Sequence, residues 1–170
     1  MLEEKKPSKT SLEDLGEFAL IEQLTKSATT ALPSTLHGIG DDAAVLKHDG
    51  ETVISTDMLI EGVHFDLGYM PLKHLGYKAV VVNLSDIYAM GAQATQVLVS
   101  IAVSNRFTLE AMEELYAGIH LACKTYGVDL VGGDTASSKQ GIQLSVTAVG
   151  IAPKTGVIKR SGANEKDLLV

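Results

Sequence analysis

Apolar residues fall into blocks whose period changes along the chain, and each change marks a new element. Leu12, Leu15, Ala19 and Leu20 follow Ser11 and Asp14 at helical spacing, which predicts an N-capped helix ending near Lys26. Ala28–Gly40 is polar and marked by Pro and Gly, so it reads as a loop. Ala43–Leu46 and Thr52–Ile60 read as two strands of a hairpin turning at His48-Asp49-Gly50. Pro71 suits the first turn of a helix that runs to about Met90 and stops at Gly91. Thr95–Val103 is apolar enough for a fully buried strand, and a second helix spans about Thr108–Tyr126, ending at Gly127. Leu130-Val131 forms a short strand into Gly132-Gly133-Asp134, and Ile142–Ile151 forms a longer one. The order is helix, two strands, helix, strand, helix, two strands, an α/β pattern.

Residues 1–10 carry charge and Pro7 without apolar periodicity and are expected to form a flexible arm. The folded domain is expected over 11–153, with 154–170 a linker leading into a further C-terminal domain. Lys166–Val170 begins an apolar run that stops without a turn, as expected of the front half of a longer protein.

Composition narrows the class. With 170 residues, 45% of them hydrophobic, the chain can bury a sizeable core. Fourteen basic residues against 21 acidic ones give a net charge of −7, and no long basic run suggests a nucleic-acid surface. No apolar run approaches the roughly 20 residues of a membrane span, and neither a signal-peptide pattern nor a cysteine framework occurs. The expected setting is cytoplasmic. Cys123 shares helical spacing with Met112, Leu115, Tyr116, Ile119 and Tyr126, so it is read as core. His120 and Cys123 make an incomplete zinc set.

Four apolar stretches run straight into aspartate, at Asp41-Asp42, Ser55-Thr56-Asp57, Asn83–Asp86 and Gly132-Gly133-Asp134. Delivered to one edge of a core, such carboxylates would repel by about 4 kcal/mol per close pair at an effective dielectric of about 20. Oxygen donors without a Cys or His set point to a hard cation, Mg²⁺ before Ca²⁺, and Mg²⁺ usually works on phosphates. A solvated turn is the plain alternative for Asp41 and Asp42. Asp57 lies within an apolar run, where an unpaired charge is costly, and alternation puts it with Ser55 on one face and Thr56 on the other. Asp86 stands on a helix that reads as apolar nearly all round, with a local bond to Asn83 as the plain alternative. The paired glycines before Asp134 permit close backbone approach and expose N–H groups beside a carboxylate able to hold a cation, with a simple tight turn as the plain alternative. Gly38-Ile39-Gly40-Asp41-Asp42-Ala43 fits a dinucleotide template, but no strand precedes it and two aspartates would face the pyrophosphate. No P-loop occurs. Arg160 is either a phosphate clamp or a solvated charge, and pattern alone does not decide the setting of His64.

Taken together, Gly38–Val45, Ser55–Phe65 with its Glu-Gly-Val-His-Phe segment, Asn83–Ala92 and Val131–Thr135 resemble the thiamine-monophosphate kinase family. The resemblance covers about residues 11–170. It implies an α/β domain like the N-terminal domain of aminoimidazole ribonucleotide synthetase, with helices on one side of a mixed sheet and that sheet pairing across a homodimer. It also implies ATP-dependent phosphorylation of thiamine phosphate to thiamine diphosphate. Positions matching Asp41, Ser55, Thr56, Asp57, Asp86 and Asp134 hold several Mg²⁺ ions in that family. The match to His64 touches thiamine phosphate, while Tyr116, Gly133, Asp134 and Arg160 match positions that contact ATP. Family members carry a further C-terminal domain, and the motifs here are those of the first half. Two alternatives stand beside this one: a dimerising Mg-ATP-binding module without turnover, and a related ATP-dependent synthetase acting on another substrate.

Overall fold

Ser11 caps the first helix by accepting the Glu13 N–H at 3.2 Å. In the computed structural model, which describes residues 9–168, the helix predicted from Leu12 to Lys26 is divided into α1 (Leu12–Leu15) and α2 (Glu17–Thr25). Gly16, at φ 77 and ψ 160, leaves helical space and turns the chain between them. Residues 1–8 of the predicted arm, and Leu169-Val170, lie outside the described residues. Thr10 pairs with the start of the fourth helix, giving its N–H to Glu110 and its carbonyl to the Leu109 N–H.

The remaining elements are β1 (Thr35–His37), β2 (Val45–Leu46), β3 (Thr52–Ile60), α3 (Leu72–Ala89), β4 (Gln93–Val103), α4 (Leu109–Tyr126), β5 (Asp129–Ser137) and β6 (Ile142–Ile151). Four of them form one sheet in the order β3-β6-β4-β5, with β4 and β5 parallel and the other pairs antiparallel. The predicted hairpin does not form. β2 pairs with β1, while β3 pairs with β6 along its whole length, from Thr52 opposite Ile151 to Ile60 opposite Gln143. A two-residue strand cannot satisfy a nine-residue one, so the long-range ladder with β6 takes its place. β5 also runs through the paired glycines instead of ending at them.

Helices α3 and α4 pack on one face of the sheet, over Val97, Val99, Ile101 and Val103 of β4. They cross at glycines. A Cβ on Gly76 would stand 2.0 Å from the Leu115 carbonyl oxygen, and one on Gly118 would stand 1.9 Å from that of Lys73. Glycine in a helix costs about 1 kcal/mol against alanine, so these two positions are explained by the close crossing they permit. The helix ends match their signals: Pro71 precedes α3, and Gly127 closes α4 in the left-handed conformation at φ 64. The opposite face of the sheet carries no helix among the described residues, and there Ile54 and Met58 of β3 are 64% and 55% exposed. Among the described residues, no helix is long and apolar enough to cross a membrane.

Candidate functional site

Two acidic groups stand on different edges of this sheet. The first borders a cavity of about 750 Å³ lined by Asp41, Asp42, Leu98, Tyr116, Gly133 and Asp134. β5 brings Gly133 and Asp134 there, and Gly133 takes φ 157, at which a Cβ would meet the Val99 carbonyl oxygen at 1.8 Å. Asp134 pairs in register with Ser100, on the row opposite to the buried Val99. Asp41 accepts the Asp42 N–H on Oδ1 at 2.9 Å, a local turn that leaves both residues exposed. Tyr116 is buried except where it meets the cavity, and burial pushes its phenol up to about 12, so it remains a neutral hydroxyl at physiological pH.

The wall holding Asp41 is anchored through side chains. Asp129, almost fully buried, accepts the N–H groups of Ala31 and Leu32 at 2.9 and 3.0 Å and the Thr35 hydroxyl at 2.7 Å. Gln96 donates its amide to Ser34 Oγ and Thr35 Oγ1, which leaves Oε1 to accept from His48 Nε2 at 3.0 Å. His48 therefore carries a proton on Nε2, and Nδ1 accepts from Thr52 Oγ1 when the ring is neutral. Asp129 lies in the apolar run Val128–Val131, the same signal that singled out Asp57, and it was missed.

The second group joins β3 to α3. Ser55 Oγ donates to Asp86 Oδ2 at 2.7 Å, and the Asp57 N–H donates to Asn83 Oδ1 at 2.9 Å. The carboxylates of Asp57 and Asp86 are exposed, which corrects the expectation that burial makes them costly: β3 is an edge strand, and α3 turns Ser85, Asp86 and Tyr88 outward. The alternative, a local bond between Asn83 and Asp86, does not form; both side chains bond to β3 instead. Thr56 lies on the other face, as alternation predicts, donating to the Val146 carbonyl and accepting from Thr147 Oγ1.

His64 sits in a tight loop after β3, where its Nδ1 accepts the Ile60 N–H at 3.0 Å. A neutral ring held this way carries its proton on Nε2, which is free to donate outward. Arg160 lies on an exposed segment beyond β6 and is not part of the cavity lining.

Asp57 and Asp134 occupy the two edge strands, separated by three strand spacings, about 14 Å across a sheet. The expected gathering at one edge is thus a division between two, and among the described residues no three His, Cys, Asp or Glu side chains converge on a metal position. The donors still suit a hard cation. They are all oxygens, and the one ion pair among the described residues, Arg106 with Glu61, leaves Asp41, Asp57, Asp86 and Asp134 without a cationic partner.

Thiamine-monophosphate kinase of Bacillus subtilis (strain 168) is 37% identical over 163 residues, covering 91% of this chain and 48% of that protein. A crystal structure of thiamine-monophosphate kinase from Stenotrophomonas maltophilia K279a superposes with a TM-score of 0.73 at 32% identity, over 88% of this chain and 46% of that one. A structure described as AaThiL complexed with AMPPCP and TMP gives a TM-score of 0.63 at 34% identity, over 90% and 47%. The chain spans about half the length of the curated relatives it matches. Residues 40–152 match the family described as AIR synthase related protein, N-terminal domain. The chain belongs to that family and carries its mixed α/β fold.

Proposed function

We propose that this chain is the metal- and nucleotide-binding half of a thiamine-monophosphate kinase, which transfers a phosphoryl group from ATP to thiamine phosphate and forms thiamine diphosphate. The observation that carries this reading is the meeting of Asp41, Tyr116, Gly133 and Asp134 at one cavity, in a chain similar to a structure that holds AMPPCP and TMP. Tyr116 and the Gly133-Asp134 pair are the nucleotide contacts, joined by Arg160. Asp41, Ser55, Thr56, Asp57, Asp86 and Asp134 are the groups that would hold Mg²⁺. When bound, Mg²⁺ neutralises the triphosphate and the charge that develops during transfer.

The acceptor is already an anionic phosphate oxygen near neutral pH, so the chain needs no general base. Its residues bind and orient instead. His64, with Nδ1 taken by the backbone, aims an Nε2–H suited to a phosphate oxygen of thiamine phosphate. Because Asp57 and Asp134 lie on opposite edges, one copy cannot bring both to a single ion. A homodimer joined through the helix-free face is the assembly proposed, and the exposed Ile54 and Met58 support that face. Residues 11–153 form the working domain, 154–170 lead toward a C-terminal domain, and the setting is cytoplasmic.

The test is a coupled assay for thiamine diphosphate from ATP, Mg²⁺ and thiamine phosphate, run on this chain and on a full-length parent. The parent is expected to turn over, and Asp57→Asn or Asp86→Asn in it to lose nearly all activity; near-normal rates in either variant would sink the metal assignment. Turnover with an aminoimidazole precursor or selenide in place of thiamine phosphate would favour the related synthetases. A second reading rests on the half-length match: the chain alone is a dimerising Mg-ATP-binding module without turnover. Calorimetry showing Mg-ATP binding without product would support it.

A further inference from the structure

Asn83 lies midway along α3 with none of its surface exposed. A buried carboxamide is costly unless its donor and acceptor are both used. Here they are used in different directions. Nδ2 donates back to the Ala79 carbonyl of its own helix at 2.9 Å, whereas Oδ1 crosses to β3 and accepts the Asp57 N–H at 2.9 Å. β3 is an edge strand paired only with β6, so Asn83 supplies a partner that no neighbouring strand offers.

One turn further along α3, Asp86 accepts the Ser55 hydroxyl. Residues 55 and 57 share one face of β3, about 6.7 Å apart. Positions 83 and 86 share one side of α3, about 4.5 Å apart along its axis. The two bonds run in opposite order along strand and helix, 55 to 86 and 57 to 83, and so fix both the offset and the spacing of the two elements. A single bond would leave β3 free to pivot. With both in place, the backbone of Asp57 and the carboxylate of Asp86 are held in a fixed relation across the two elements.

We infer that Asn83 is a positioning residue for the cation site, holding Asp57 on β3 at the distance from Asp86 that one divalent ion requires. This rests on the metal reading under the proposed function. Asn83 itself is buried and would not touch the ion.

Asn83→Ser separates the two bonds. A serine hydroxyl can still donate to the carbonyl four residues back, but it is too short to reach β3. The experiment uses the chain as it stands and makes two measurements: amide exchange at Asp57 without metal, and Mn²⁺ binding followed by electron paramagnetic resonance. Asn83→Ser is expected to lose exchange protection at Asp57 and to bind Mn²⁺ at least tenfold more weakly. Met112→Ala, a cavity in α4 away from the clamp, should lower stability without changing either readout. A double-mutant cycle should show that Asp57→Asn costs less Mn²⁺ affinity in the Asn83→Ser background than in the wild type.

Unchanged protection at Asp57 would overturn the clamp itself. Lost protection with unchanged Mn²⁺ affinity would overturn its role toward the ion. Wild-type Mn²⁺ binding indifferent to Asp57→Asn and Asp86→Asn would overturn the metal reading and this inference together, and the exchange result would separate that failure from failure of the clamp.

Discussion

Gly133 of β5 faces the carbonyl of Val99 on β4 so closely that a methyl group at Gly133 would stand 1.8 Å from the oxygen. The obstacle is backbone in a paired strand, which no rotamer change relieves. Gly133→Ala is therefore expected to destabilise the fold by about 3 kcal/mol, the upper end for overpacking, and to shift Asp134 with the displaced strand. Urea unfolding gives the first effect, and amide exchange along β5 gives the second.

Asp129 holds the cavity wall with three accepted hydrogen bonds, two of them from backbone N–H groups. Asn in its place offers one acceptor oxygen and turns an NH₂ group toward donors. Asp129→Asn should cost about 2–4 kcal/mol. Limited proteolysis should then cut first between 28 and 40, and cleavage elsewhere would argue against the anchoring role.

Glu110, in the first turn of α4, has its carboxyl lowered from 4.5 to about 2 by hydrogen bonds, first from its own backbone N–H and then from Thr108 and Thr10. A depressed carboxyl stabilises the folded state in its charged form. That contribution is complete above pH 4.5 and fades as pH falls through about 2. Glu110→Gln should accordingly be less stable than wild type at neutral pH, and the difference should close in acid. A stability difference that stays constant with pH would assign the effect to packing.

Burial pushes the Cys123 thiol up to about 12, with the charge of Asp129 adding to it. At pH 8 the native thiolate fraction is then about 1 in 10⁴, so alkylation of the folded protein should be at least about 10³-fold slower than in urea. Rapid native labelling would mean that α4 opens readily.

Local signals were read well where they end an element, and less well where pairing is distant. Pro71, Gly91 and Gly127 mark helix ends through their own backbone limits, so α3 and α4 were legible almost to the residue. β6 was legible to its ends because a strand covered on one face must alternate. The partner of β3 lies some ninety residues away, and a nearby Gly turn offered a false local answer. Gly16 breaks a helix whose apolar spacing continues across it, so periodicity alone ran through the bend. The three-residue β1 was hidden in a loop because its hold on the fold comes from Thr35 and Asp129 side chains. Asp86 shows a different limit: a helix rich in apolar residues can still face water on one side, and composition does not say where that side falls.

The segment from Ala31 to His48 is hung from the sheet by Asp129 and Gln96, with its own two short strands paired only to each other. Scaffold and rim are thus separable parts. Substitutions between the anchor points can reshape the mouth of the cavity without disturbing the ladders beneath, so the rim can be re-engineered at small risk to folding.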